Sequence, residues 1–381
     1  MSKEVLYVTR PSLPPAEELQ PLIDSIWSSR FVTNGGPIHQ RFSRALEEYL
    51  DVPHVTLVAN ATLGVMLGLK QLMGDEGGEV ITPAFSFVAT SHAAKWAGAD
   101  LVFADIDART LNIDPAEVER LITPRTKAIL AVHCYGNACD AAALQDIADR
   151  HNIALIYDGA HCFAATDTGG SLLRHGDLSV VSFHATKVFS TLEGGAIISH
   201  DADTKQALDR LINYGIVNET TIDTTGFNAK MSEMHAAVGL AQLPHVAKDI
   251  ERRSVLSKRY WEQLKDIPGL HCVCPWDDPG RNYYIFPILV GPGYPMSCSE
   301  LYERLKEQKI FARRYFYPLL TQLPMYRDLP SADPAGLPRS MAAAEQVLCL
   351  PLYPDLAFED QDRVLDAITE ICVPRKDGQV A

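Results

Sequence analysis

Seven short apolar runs, at residues 55–58, 79–81, 100–104, 128–132, 154–157, 178–183 and 195–198, punctuate the first half of the chain. Amphipathic stretches separate several of them, at residues 61–73, 115–121 and 141–151. Runs that are apolar at nearly every position, rather than every second one, describe strands covered on both faces. Their alternation with helices predicts an α/β fold, a mostly parallel sheet held between helices. In such folds ligands gather at the carboxyl ends of the strands. The residues that close each apolar run are therefore the first to inspect for chemistry.

The texture changes after about residue 230. Residues 232–259 read as a long helical region with a break at Pro244. A strand is expected at 283–289, a helix at 299–308 and a short apolar piece at 350–353. Proline and glycine cluster at 291–295 and between Pro324 and Pro338, which marks loops. The expected division is a large domain over 1–250, including an N-terminal arm, and a smaller C-terminal α+β domain over 251–381.

A net charge of -14 argues against general binding to nucleic acid or to an anionic membrane, both of which need basic surface. It leaves room for an anionic small substrate in a local basic pocket. No apolar run reaches spanning length, and Met1-Ser2-Lys3-Glu4-Val5 lacks the apolar stretch of a secretory signal, so a cytoplasmic protein is expected. The eight cysteines include no C-x-x-C pair and read as reduced packing residues, with no metal site expected.

Two runs close on a distinctive residue. One ends at Asp158, followed by Gly159-Ala160-His161; the other leads through Ser182-Phe183-His184-Ala185-Thr186 to Lys187, with Glu193-Gly194-Gly195 beyond. Each alone has a bland reading, a strand-end carboxylate opening a turn and a surface lysine. Together, at the ends of neighbouring strands, they suit the two ends of a pyridoxal phosphate ring. The lysine would carry the aldehyde as a Schiff base and the carboxylate would hold the pyridinium proton. His161 is either a contact to the cofactor's phenolic oxygen or a packed core histidine. Asn60-Ala61-Thr62-Leu63-Gly64 opens a helical stretch after the first run, where free amides suit a phosphate, although a simple N-cap explains the same residues. Of Phe85 and Phe87, one can stack on a ring and the other is core. The P-loop, dinucleotide-binding, zinc-protease and esterase motifs are all absent.

In this combination and order, with Gly226-Phe227-Asn228-Ala229-Lys230-Met231 further on, the chain resembles the DegT/DnrJ/EryC1/StrS sugar aminotransferases, fold-type I pyridoxal phosphate enzymes. The resemblance spans nearly the whole chain. It implies that Lys187 is the Schiff-base lysine and proton carrier, Asp158 the partner of the pyridine nitrogen and Phe87 the stacking aromatic. Ala61, Thr62 and Ser182 would bind the phosphate, and Asn228 would reach it from a second subunit, which implies a homodimer with shared active sites. His161 stands where the family often has Gln. A dehydrating branch has His in place of the lysine; this chain keeps Lys187, which favours transamination. In Ala312-Arg313-Arg314-Tyr315-Phe316-Tyr317, the residues Arg314, Tyr315 and Tyr317 would meet the sugar or diphosphate. Within the family the chain looks most like enzymes forming dTDP-4-amino-4,6-dideoxy sugars. The expected reaction takes an amino group from L-glutamate, through pyridoxamine phosphate, to a nucleotide-linked keto-deoxysugar. A 3-aminotransferase, a cyclitol aminotransferase, a dehydratase and a non-catalytic regulator on the same fold are the alternatives.

Overall fold

The computed structural model describes residues 4–372. All seven apolar runs become strands of one sheet: β1 (His54–Val58), β2 (Gly78–Pro83), β3 (Ala99–Ala104), β4 (Thr126–Val132), β5 (Ala154–Asp158), β6 (Leu178–Ser182) and β7 (Gly195–Ser199). Their order is β1-β7-β6-β5-β4-β2-β3, and every pairing is parallel except the two made by β7. Most residues of these strands are buried, as the unbroken apolar runs require.

Helix α1 (Ala16–Ser29) precedes α2 (Pro37–Leu50), and α3 (Ala61–Met73) follows β1 directly. Two glycines four residues apart, Gly64 and Gly68, face the sheet from α3; a Cβ would lie 2.7 Å from Val180 at the first and 2.8 Å from Ile156 at the second. Their missing side chains let the helix lie close against β5 and β6. The remaining helices of this layer system are α4 (Val88–Trp96), α5 (Pro115–Leu121), α6 (Ala141–His151) and α7 (Ala202–Leu211).

The helical region expected around Pro244 is two helices, α8 (Glu233–Gln242) and α9 (Val246–Leu264), joined by a 3-10 turn at Leu243–His245. Helix α9 passes from one core to another: Val246 packs in the main core, whereas Leu256, Tyr260 and Leu264 pack in a second one. That second core is built on an antiparallel sheet of β8 (Leu270–Cys272), β9 (Phe286–Val290) and β10 (Val347–Leu350), with α10 (Cys298–Glu307) and α12 (Phe358–Thr369). Between α10 and α12 lies α11 (Pro338–Gln346). The N-terminal segment joins this unit, with Leu6–Tyr7 pairing in parallel with Ile310–Phe311. Conversely, Cys274, Tyr284, Phe316 and Leu319 pack back into the main core.

Two C-terminal expectations shift. The strand expected from Tyr283 begins at Phe286, because Tyr283 has φ 51° and so cannot continue a ladder. The apolar piece at 350–353 is the exit of β10, whose ladder stops at Leu350 before Pro351. No helix among the described residues is long and apolar enough to cross a membrane.

Candidate active site

The carboxyl ends of β1, β2, β4, β5 and β6 open onto one cavity of about 250 Å³. Asn60, Ala61 and Thr62 line it after β1, Phe87 after β2, Asp158 and His161 after β5, and Ser182 and Lys187 after β6. Residues separated by over a hundred positions thus meet because parallel strands all end on the same edge.

Lys187 lies in the loop between β6 and β7. Its Nζ donates to Tyr284 Oη at 3.4 Å and sits 4.8 Å from the centre of the Tyr284 ring. Burial drives its pKa down from 10.5 to about 8, although the Asp158 charge pulls the other way. At neutral pH a usable share of the amine is therefore unprotonated.

Asp158 is the last residue of β5 and is buried. Thr90 Oγ1 donates to its Oδ2 at 2.7 Å, and the Ala160 N–H donates to Oδ1 at 3.1 Å. Burial raises its pKa, against the pull of these two donors and of Lys187. It makes no ion pair among the described residues, so its charge remains available to a cationic partner in the cavity.

The Asn60 side chain caps α3 by accepting from the Leu63 N–H at 2.9 Å. The first amides of the helix, at Ala61 and Thr62, have no acceptor within it and border the cavity. Gly195 of β7 makes this approach possible: a Cβ there would stand 2.8 Å from the Ala61 nitrogen. Ser182 is buried beside them, its Oγ accepting from the His184 N–H at 3.3 Å.

The two phenylalanines separate cleanly. Phe85 is fully buried, edge-on to Phe316 and Tyr135, whereas Phe87 is 52% exposed and faces the cavity. His161 is both packed and at the cavity wall. Its ring stacks on Tyr284 at 4.6 Å, and its Nδ1 accepts from the Tyr135 N–H at 3.2 Å, which leaves Nε2 to carry the ring proton. Burial and the Lys187 charge hold it well below the usual histidine range, so it is neutral.

Three residues lie apart. Asn228 is exposed and outside the cavity, bridged to Asn213. Arg314 and Tyr317 line a neighbouring cavity of about 630 Å³, and Tyr315 borders both. The Arg314 guanidinium is already engaged: it donates to Ser299 Oγ at 3.0 Å and to the carbonyls of Ala344 and Glu345 at 3.0 and 2.9 Å, and it stacks on Tyr317. Arg313, on the same cavity, has no such side-chain bonds among the described residues.

Sequence reasoning did not assign Thr90, Tyr135 or Tyr284 to the site. Thr90 had a usable signal, since Ser86 and Thr90 are four apart at a helix start, and their hydroxyls meet at 2.9 Å. The others arrive from remote segments with no local pattern.

Residues 15–369 match the model of the DegT/DnrJ/EryC1/StrS aminotransferase family. The chain belongs to that family. The dTDP-4-amino-4,6-dideoxy-D-glucose transaminase of Shigella dysenteriae is 45% identical over 366 residues, covering 96% of this chain and 99% of the relative. Among solved structures, DesI with its TDP-sugar product superposes with a TM-score of 0.90 at 35% identity, over 96% of this chain and 92% of that one. NtdA of Bacillus subtilis, solved with the cofactor pyridoxamine phosphate, superposes with a TM-score of 0.84 at 28% identity, over 93% of this chain and 81% of that one. The fold is that of pyridoxal phosphate aminotransferases, and pyridoxal phosphate is the family cofactor. The residues on the cavity wall fit that group: a desolvated lysine, a buried carboxylate without an ion pair, a free helix N-terminus and an aromatic face.

Proposed function

We propose that this family member is a nucleotide-sugar aminotransferase. It moves the amino group of L-glutamate to dTDP-4-keto-6-deoxyglucose, giving dTDP-4-amino-4,6-dideoxyglucose. The observation that carries the reading is the convergence of Lys187, Asp158 and the α3 N-terminus on one cavity. The 45% identity to a transaminase of that name, over almost its full length, supports the choice of sugar.

Bound pyridoxal phosphate supplies an electron sink for the carbon that loses its proton. Lys187 would carry the cofactor, and its amine, once released, would move a proton from the α-carbon of glutamate to the cofactor in the first half-reaction and from the cofactor to the sugar carbon in the second. Asp158, aimed by Thr90 and Ala160, would keep the ring nitrogen protonated. The amides of Ala61 and Thr62, with the Ser182 hydroxyl, would bind the phosphate. Phe87 would cover one ring face, and His161 would meet the phenolic oxygen through Nε2. Tyr315, at the junction of the two cavities, would face the sugar, with Arg314 and Tyr317 walling the outer one.

Asn228 would complete the phosphate site of a second copy, so the working unit is a homodimer. Its exposure, together with that of Phe31, Val32, Tyr214, Ile222 and Phe227, supports this reading. We also assign the chain to the cytoplasm and divide it into domains at 1–250 and 251–381, near the passage of α9 between cores.

The test is a visible absorption spectrum of purified protein, read before and after L-glutamate and then dTDP-4-keto-6-deoxyglucose. A cofactor band that bleaches with glutamate and returns with the keto sugar is expected. Bleaching without return would reject this sugar; bleaching that never occurs would reject glutamate as donor.

A further inference from the structure

Tyr284 approaches Lys187 from the C-terminal part of the chain, just before β9, and is buried. Its surroundings are over-determined. Asn282, 1% exposed, donates to the carbonyls of His161 and Phe163 at 2.7 and 2.9 Å, and its Oδ1 accepts from the Tyr284 N–H at 3.1 Å. On the other side, Arg253 donates from Nη1 to the carbonyls of Tyr284 at 3.2 Å and Leu352 at 3.0 Å. Arg253 is also 1% exposed, and no carboxylate lies in ion-pair range of it among the described residues. Its Nε has no partner among the described residues. Burying a cation on backbone carbonyls alone is costly. One of the two carbonyls that cation holds belongs to Tyr284, the one residue among those described whose hydroxyl meets the lysine amine.

We propose that Tyr284 is the positioning residue for the Lys187 amine, holding it through the hydroxyl and the ring face whenever the amine is not bonded to the cofactor, with Asn282 and Arg253 fixing Tyr284 in place. The inference rests on Lys187 being the cofactor-bearing lysine. A released lysine side chain has several free torsions, and a fixed acceptor keeps its amine over the reacting carbon instead of letting it wander. The ring face adds attraction for the protonated amine. The same contact ties the C-terminal unit, which carries Tyr284, to the strand-end loop that carries Lys187.

Other groups also face the amine: Asp158, His161 and Cys162 from β5 and its following turn, Tyr135 from after β4, His184 and Glu193 from its own loop, and Tyr315. The Tyr284→Phe substitution leaves all of them, and the ring, in place, and removes the hydroxyl's bonds to Lys187 and to Thr186. The protein is taken in its pyridoxamine phosphate form, where the amine is free, and labelled with trace acetic anhydride across pH. Acetylation of the Lys187 peptide is read by mass spectrometry. Loss of the hydroxyl removes an acceptor from the ammonium form, so the labelling midpoint is expected to fall by about 0.5 to 1 unit. The first half-reaction with glutamate should slow roughly 10-fold. Arg253→Lys, which keeps one cationic donor, should move the midpoint in the same direction by less. In parallel, borohydride reduction of the pyridoxal phosphate form shows whether the cofactor is attached to Lys187. A trapped cofactor with an unmoved midpoint in Tyr284→Phe would overturn the proposal; cofactor trapped elsewhere would overturn the reading beneath it.

Discussion

Replacing Gly195 by Ala is the sharpest probe of the phosphate turn. The new Cβ would stand 2.8 Å from the Ala61 nitrogen, 2.8 Å from the Val181 carbonyl oxygen and 3.1 Å from the Ala61 Cα, against ordinary contact beginning at 3.4 Å. All three atoms are backbone, so no side chain can rotate away. The β6–β7 ladder fixes Val181, since Ala196 pairs with it directly. The α3 N-terminus is the side that gives. Overpacking of this kind costs about 1–3 kcal/mol of stability. Misaligning one amide contact to the charged phosphate costs a further ~1.5–3 kcal/mol, which weakens cofactor binding about 10- to 150-fold. Gly68→Ala, two turns down α3, is the matched control: its Cβ meets the flexible side-chain tips of Ile156 and Leu178 and no backbone. Both variants should lower the melting temperature by a few degrees. Only Gly195→Ala should raise the dissociation constant for pyridoxal phosphate, followed by fluorescence titration of apoprotein. Equal cofactor affinity in the two variants would refute the claim that the Ala61 and Thr62 amides hold the phosphate.

Lys187→Ala should leave the fold intact by circular dichroism and lower turnover by at least about 100-fold. Asp158→Asn keeps the shape of the carboxylate but not its charge, so kcat should fall by roughly two orders of magnitude with little change in melting temperature. Thr90→Val removes the 2.7 Å bond that aims Asp158 Oδ2 and the 2.9 Å bond to Ser86; a kcat loss of about 10-fold is expected from steady-state kinetics, with a stability loss of about 1 kcal/mol. Uptake of pyridoxal phosphate by apoprotein needs the neutral Lys187 amine. With its pKa lowered to about 8, the uptake rate should climb with pH through 8 and then flatten. At pH 6 it should be about 100-fold below the plateau. A rate still climbing at pH 10 would mean an ordinary solvated lysine.

The sheet was legible because burial on both faces writes itself as unbroken apolar sequence. Residues 154–157 and 178–183 advertised their strands, and the charged residues closing or following them stood out by contrast. Legibility failed where one residue's role depends on another's placement. Phe85 and Phe87 are equivalent in sequence, and only the end of β2 decides which turns inward. Arg314 looked like a diphosphate ligand, yet three of its neighbours are acceptors that only the packing of α10 and α11 brings to it. Tyr283 sits in an apolar run that reads as strand, but the hydrogen bonds of Asn282 and Tyr284 turn the backbone out of the ladder first. Tyr284 and Arg253, 31 residues apart and without a shared period, gave no signal at all.

The pairing of Leu6–Tyr7 with Ile310–Phe311 sets an order of assembly. A chain emerging from the ribosome can complete the seven-stranded sheet once β7 is out. The Leu6–Tyr7 strand must wait for a partner made about 300 residues later, a closure of high contact order. Leu6 belongs to the C-terminal core, so until then the N-terminal segment carries an apolar residue with no place to bury it. The Tyr284 contact to Lys187 belongs to the same late stage. The catalytic edge is therefore finished last, after the scaffold that displays it, and a chain cut short before β10 should hold its large sheet yet lack a finished active site.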